Sequence, residues 1–178
     1  MNKKIIITGT MGSGKSSVLN AISKDEHDIV PECARTILAE QRAFGGSGVP
    51  DKDPSLFCEL LLSRTLHQYK NNKDVSLTIY DRGLPDIIGY AKWFNLELSH
   101  FKSCAKQYRY NNTVFLLEPW QEIYVNDDER KMTFKEAELF HDDLVNIYKE
   151  LNYELLIVPK ASIQERVAFI YRKLGFIK

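Results

Sequence analysis

The chain has 178 residues, with 24 Lys plus Arg against 24 Asp plus Glu and a formal net charge of zero. That length suggests one domain, and 44% apolar with 11% aromatic residues is enough for a real core. The balance of charge argues against a polybasic nucleic-acid binder, whose domain pI would exceed about 9, and against an acidic disordered tail.

Along the chain, apolar runs of strand length alternate with stretches of helical period. Residues 4–8 read as the first strand, followed by a Gly-rich turn and a helix over 15–23. A strand over 28–31 leads into a helix over 34–44, and a Gly-rich connector at 45–50 precedes a helix over 54–69. A third strand, 75–80, is followed by a helix over 85–94. The fourth strand, 113–117, leads to a polar stretch at 121–132. Thr133 with Glu136 forms a capping box for a helix over 133–151. A strand over 154–158 and a helix over 162–174 complete the pattern. Uninterrupted apolar strands of this kind read as buried on both faces, as in a parallel sheet. The expectation is an α/β fold in one domain spanning 1–178, with a flexible flap near 45–53 and a lid-like segment near 121–132.

Cys33, Cys58 and Cys104 have no metal-site or redox-motif spacing, which fits reduced cytosolic thiols and a cytoplasmic chain. The four histidines show no ligand spacing either. No run approaches the ~20 apolar residues of a membrane span. The basic, apolar start superficially suggests a signal peptide, but its apolar part is short, Gly-rich and interrupted by Lys15. Asn111-Asn112-Thr113 spells a glycosylation acceptor that is idle in a cytosolic chain.

The strongest chemical signal is Gly9-Thr10-Met11-Gly12-Ser13-Gly14-Lys15-Ser16, which fits G-x-x-x-x-G-K-[ST]. Its glycines let the backbone wrap an anion with several N–H groups pointing inward, and Ser17 extends the loop into the following helix. The start of that helix adds a positive end. Lys15 supplies a cation for β- and γ-phosphates, and the Ser16 hydroxyl can bind Mg²⁺. The alternative, a chance Gly-rich turn, is disfavoured because the motif directly follows a strand and opens a helix.

Other motifs narrow the class by their absence. Asn72-Lys73-Asp74-Val75 lacks the final Asp of a guanine-reading Asn-Lys-x-Asp. No Leu-Ser-Gly-Gly-Gln transporter signature occurs, and no helical domain follows the sheet pattern as in ring-forming ATPases. The inner spacing of the loop is more typical of small-molecule kinases.

In such sheets ligands bind at the carboxyl ends of the strands. Asp81 ends the third strand, where a carboxylate can hold Mg²⁺; alternatively it caps the next helix. Arg82 can donate to phosphate, or form a surface ion pair. Glu32, after the second strand, can accept the proton of an acceptor hydroxyl, or pair with Arg35. Arg130 and Lys131 in the polar stretch can neutralise transition-state charge, or belong to a solvated charge run.

These motifs occur in a telling order: Gly9–Ser16, Pro31-Glu32-x-Ala34-Arg35, Asp81-Arg82-Gly83-Leu84-Pro85-Asp86, Glu118-Pro119-Trp120, and Asp128-x-Arg130 before Thr133-Phe134. The set resembles the small predicted-ATPase family of AAA-like P-loop proteins, up to Ser162-x-x-Glu165-Arg166-Val167. That family is similar to deoxynucleoside kinases and the nicotinamide riboside kinase fold. Glu118 departs from the pattern, where Pro is expected, and no role rests on it. The resemblance implies a three-layer P-loop NTPase fold with a five-stranded parallel sheet of nucleoside/nucleotide-kinase type. It also implies a carboxylate at Glu32 activating the acceptor, Asp81 with Arg82 serving metal and phosphate, and Arg130 gripping the donor phosphates.

Weaker signals remain. Lys102, Lys106 and Arg109, interleaved with aromatics, suggest a basic patch for an anionic acceptor or a solvated helix face. Trp120 either walls the ligand site or packs the lid base. Arg64, His67 and Gln68 lie on a helix that borders the acceptor in nucleoside-kinase relatives. The leading expectation is an ATP- and Mg²⁺-dependent phosphotransferase acting on a small-molecule acceptor, with neither membrane nor nucleic acid as partner. The alternative is an ATP-binding regulatory switch acting through a protein partner.

Overall fold

The computed structural model describes residues 4–23, 28–72, 77–124 and 132–176. In chain order the strands are β1 (Lys4–Gly9), β2 (Asp28–Val30), β3 (Thr78–Asp81), β4 (Thr113–Leu117) and β5 (Glu154–Ile157). The helices are α1 (Lys15–Ser23), α2 (Ala34–Ala43), α3 (Pro54–Asn71), α4 (Leu84–Trp93), α5 (Ser99–Gln107), α6 (Phe134–Glu150) and α7 (Ile163–Leu174). A single 3₁₀ turn, Gln121–Ile123, follows β4.

All strand pairs are parallel, in the order β2-β3-β1-β4-β5. Parallel strands need crossovers, and the helices that make them cover both faces of the sheet. One apolar cluster joins Ile6, Ile37, Phe57, Tyr80, Ile88 and Tyr148 on the α2–α6 side. The other joins Ile5, Ile7, Val18, Ile22, Phe115 and Ile170, between the sheet and α1 with α7. Successive residues of β1 therefore feed opposite cores, the two-residue alternation of a strand.

Burial on both faces holds for β1 and most of β4 but not for the edge strands. Ile157 of β5 is 53% exposed, because an edge strand of four residues is only partly covered. β2 likewise buries only Val30 fully. α5 stands in a stretch for which the periodicity gave only a helical face. Its cations do not gather: Lys102 pairs with Glu150 at 3.0 Å, while Arg109 donates to the Leu151 carbonyl and stacks on Tyr153. The Gly-rich connector is tied back to α2 and to itself. Gly48 N–H donates to Gln41 Oε1 at 2.9 Å, Gly46 N–H to the Gln41 carbonyl, and Val49 is buried.

β1, β2, β3 and β4 end at the same edge of the sheet, which follows from parallel pairing in register. Gly9 pairs with Leu117, and Ile7 pairs with Asp81. The loops that carry the phosphate motif, Glu32 and Arg82 therefore converge at one sheet end.

Candidate active site

The phosphate end begins where β1 runs out. Gly12 and Gly14 take φ of 73° and 74°, left-handed values that a side chain resists, so the loop can turn tightly before α1. Ser13 Oγ donates to the Thr10 carbonyl at 2.8 Å and braces the turn from within. α1 has no acidic residue in its first turn, so its positive end is left uncompensated toward the loop. Thr10 through Ser17 line a cleft of about 490 Å³. That volume lies in the range of small-molecule sites, about 300–1,000 Å³. Ser16 and Ser17 are exposed there, while Lys15 is buried and its Nζ is bonded to an Asp81 carboxylate oxygen.

Asp81 does not cap α4. The N-cap is Gly83, whose N–H is bonded at 2.8 Å by the Asp86 side chain three residues on. This leaves Asp81 for Lys15. Burial raises the Asp81 pKa and Glu32 adds to the rise, against the lowering effect of Lys15 and Arg82.

Arg82 follows immediately with φ of 69°, a conformation costly for any residue with a side chain. Its N–H donates to the Ile7 carbonyl at 3.1 Å, which helps fix the turn. The guanidinium is buried, with Nε 2.8 Å from Glu32 Oε1 and Nη1 3.4 Å from Asp86 Oδ1. The Nε contact is an ion pair without hydrogen-bond alignment. Arg82 is thus not the surface ion pair that the sequence left open.

Glu32 sits between β2 and α2 and also accepts from the Tyr90 hydroxyl at 3.1 Å. Burial pushes its pKa up, but Arg82, Lys15, the Tyr90 hydroxyl and Arg35 together outweigh burial and hold it below the usual 4.5. Glu32 is therefore ionised at neutral pH. Glu32, Arg35, Arg82 and Tyr90 line the same cleft as the phosphate loop.

Beneath this pair lies Asp86, 1% exposed. It accepts from the Thr8 hydroxyl, from Tyr148 Oη at 2.6 Å, from Gly83 N–H and from Arg82. Sequence reasoning placed Asp86 in a motif but gave it no role, and missed Thr8, Tyr90 and Tyr148 altogether. The only local signal was Asp86 three residues after a cap position, because its other partners come from β1 and α6.

The remaining candidates divide. Gln68 turns to this end, donating to the Pro31 carbonyl at 3.2 Å and accepting from Cys33 Sγ at 3.1 Å. It borders a cavity of about 20 Å³ with Thr65 and Leu61, room for roughly one water. Arg64 instead pairs with Glu40 on the surface, and His67 with Asn71. Trp120 walls the opposite end of the large cleft with Ile123, Ser162 and Arg166. Glu118 lies 3.8 Å from Lys160. Arg130 and Lys131 lie outside the described residues, as does most of the lid-like segment.

Solved structures share this architecture. A deoxyadenosine kinase from M. mycoides, with products dCMP and a flexible dCDP bound, superposes with a TM-score of 0.71 at 19% identity, covering 98% of this chain and 100% of that one. The same kinase with bound dATP gives 0.71 at 18% identity, over 97% and 98% of the two chains. A shikimate kinase from Acinetobacter baumannii in complex with shikimate gives 0.57 at 13%, over 97% and 93%. At such identities the likeness shows the fold, a P-loop kinase fold with a five-stranded all-parallel sheet. No curated protein matches the chain. A family model described as an AAA domain matches residues 4–166, nearly the whole chain, and the chain belongs to that family of P-loop proteins.

Proposed function

We propose that this protein is a Mg²⁺-dependent phosphotransferase that moves the γ-phosphoryl group of ATP to a hydroxyl of a small acceptor. The observation that carries this reading is one cleft lined both by the phosphate loop and by the Glu32–Arg82 pair. A polyphosphate on the loop would present its terminal group toward a charged carboxylate.

In the proposed step the acceptor hydroxyl gives its proton to Glu32 as its oxygen bonds to the γ-phosphorus. The bond from that phosphorus to the bridging oxygen breaks, and the electron pair leaves with ADP. A loose transition state asks orientation of the base more than strength. A carboxylate held below its usual pKa suits that demand, since it is charged at neutral pH and its position is fixed by Arg82 and Tyr90. Arg82 and Lys15 bring positive charge to a group whose three oxygens carry the negative charge. For Lys15 this requires exchanging Asp81 for phosphate, which would free the carboxylate.

Asp81 and the Ser16 hydroxyl are hard oxygen donors at the loop and fit Mg²⁺, which binds through one or two protein groups plus phosphate and water. When bound, that ion would neutralise phosphate charge. Among the described residues no cluster of three His, Cys, Asp or Glu side chains forms, so phosphate and water would complete its shell. Arg130 enters only as a proposed further cation.

The test is a ligand screen followed by one substitution. Nucleosides, nucleotides and cofactor precursors are added with Mg²⁺ and a non-hydrolysable ATP analogue, and the acceptor shows as an added rise in melting temperature. With that acceptor, Glu32→Gln is expected to keep ATP affinity and lose transfer. Normal transfer by this variant removes Glu32 from the mechanism. ATP hydrolysis with no acceptor-dependent transfer turns the reading to a regulatory ATPase.

A further inference from the structure

On α7, Arg166 and Ile170 are one helical turn apart and share the buried face. An arginine in that stripe is out of place among apolar neighbours, and here it is only 4% exposed. Its Nη2 donates to the Ser13 carbonyl at 2.6 Å, inside the phosphate loop. Its guanidinium also packs against Gly14, where an added Cβ would come within 2.6 Å of Nη1. Trp120 lies opposite, with 5.8 Å between the guanidinium and the ring centroid.

Among the described residues no carboxylate answers this charge. Nε is buried without a hydrogen-bond partner. Burial pushes the Arg166 pKa down, and among the described residues no acidic neighbour acts against it. The adjacent Glu165 is turned away, accepting from the Ser162 hydroxyl at 2.6 Å and the Ser162 N–H at 3.0 Å to cap α7. A carbonyl and an indole ring offset part of the cost of a buried cation, but a counter-ion is what such a charge ordinarily requires. Arg166 lines the cleft that also holds the phosphate loop.

We propose that Arg166 is a positioning residue for polyphosphate binding: it pins the Ser13–Gly14 turn in its anion-receiving form, and the phosphates of the bound nucleotide are its missing counter-charge. This rests on the reading of the cleft as a nucleotide site and not on the transfer step. A plain structural tie between α7 and the loop would behave differently, because such a tie only stabilises the free protein.

The experiment compares the full chain with its Arg166→Met and Arg166→Lys variants, checked for fold by circular dichroism. Melting temperature is measured without ligand, and Kd for ATP and for pyrophosphate is measured with Mg²⁺. Met keeps the bulk and removes the uncompensated charge, so it is expected to melt no lower than wild type. Its Kd for both ligands is expected to rise at least about tenfold, the size of a lost hydrogen bond to a charged group. Lys keeps the charge without the fork and is expected to recover part of that affinity. Where Met does not fold, the Lys variant carries the test with a smaller rise in both Kd values. Unchanged Kd in the folded variant overturns the proposal, as does a Met variant that loses only melting temperature. Wild-type protein that binds pyrophosphate but transfers to no acceptor sinks the phosphotransferase reading and leaves this one standing. Wild-type protein that binds neither ligand sinks both.

Discussion

The phosphate loop is one continuous stretch of chain, residues 9–17, braced from outside by Arg166 of α7, and its geometry is set mostly by backbone. The Glu32 end is made by side chains from β1, the β2–α2 junction, the β3–α4 turn, α4 and α6. At the first end, positive φ at Gly12 and Gly14 and the start of α1 set the geometry. At the second, a buried carboxylate, an arginine in a strained turn and two tyrosines hold one another. The difference teaches that the two ends should fail differently. A backbone cradle can lose a side chain and keep its shape. A buried network left with one member missing exposes unpaired groups to a low-dielectric interior.

The sharpest way to break this contrast is Lys15→Ala. Loss of one preorganised cation from a phosphoryl site is expected to lower transfer about 10³-fold. The melting temperature should move by only a few degrees, because Asp81 is 17% exposed and can take water or a proton once Lys15 is gone. Steady-state rates and a thermal melt check it together. A collapse of the melt would show that the phosphate end is also a structural keystone, and the contrast would fail.

Asp86→Ala should do the reverse. It strips four donors of their acceptor at a site 1% exposed, and the expected loss of stability is about 3–5 kcal/mol. Urea unfolding measures it. Asp86→Asn should recover part of the loss, since an amide still accepts from two of the donors. A loss below about 1 kcal/mol would mean that the network is ornamental.

The same contrast explains what could be read from the sequence. The phosphate loop was legible because its chemistry is local: spacing of glycines, a lysine and a serine between a strand and a helix. Parallel strands were legible from uninterrupted apolar runs, and the buried ones matched best. The sequence reading runs β5 to Val158, one residue past its observed end, and buries both faces, because an apolar run does not reveal that its strand lies at the sheet edge. Glu32 and Arg82 were named separately, but their pairing across 50 residues was not readable, nor was the Asp86 hub. Arg166 carried the one overlooked local signal, a cation four residues before Ile170 on a buried helical stripe.

A pH experiment sharpens the charge side of the comparison. The Glu32 pKa is lowered on folding, so Glu32 contributes stability that is fully present above its unfolded value near 4.5. That contribution is lost as pH falls through the lower folded value. Stability of wild type measured from pH 6 downward should therefore drop more steeply below about 4.5 than that of Glu32→Gln. Parallel curves would mean that Arg82 and Tyr90 do not favour the charged form.

The smallest expected effect isolates one contact. Tyr90→Phe removes the hydroxyl that donates to Glu32 at 3.1 Å and leaves the ring, which packs edge-on to Phe57 and tilted against Phe140. Net loss of stability should be about 1.5–2 kcal/mol, the lower part of the range for one hydrogen bond to a charged group, with the ring packing kept. The more telling readout is the direction of the Glu32 titration. With one donor gone and burial unchanged, the Glu32 pKa should rise toward the ordinary range, so the acid loss of stability should start at the same pH near 4.5, be smaller, and be complete at higher pH than in wild type. Carbon-detected NMR of the Glu32 carboxylate would follow this directly. A midpoint that stays put would assign the whole depression to Arg82, Lys15 and Arg35. Tyr90 would then be an aromatic wall of the cleft, and the Glu32 end would be set by charge alone.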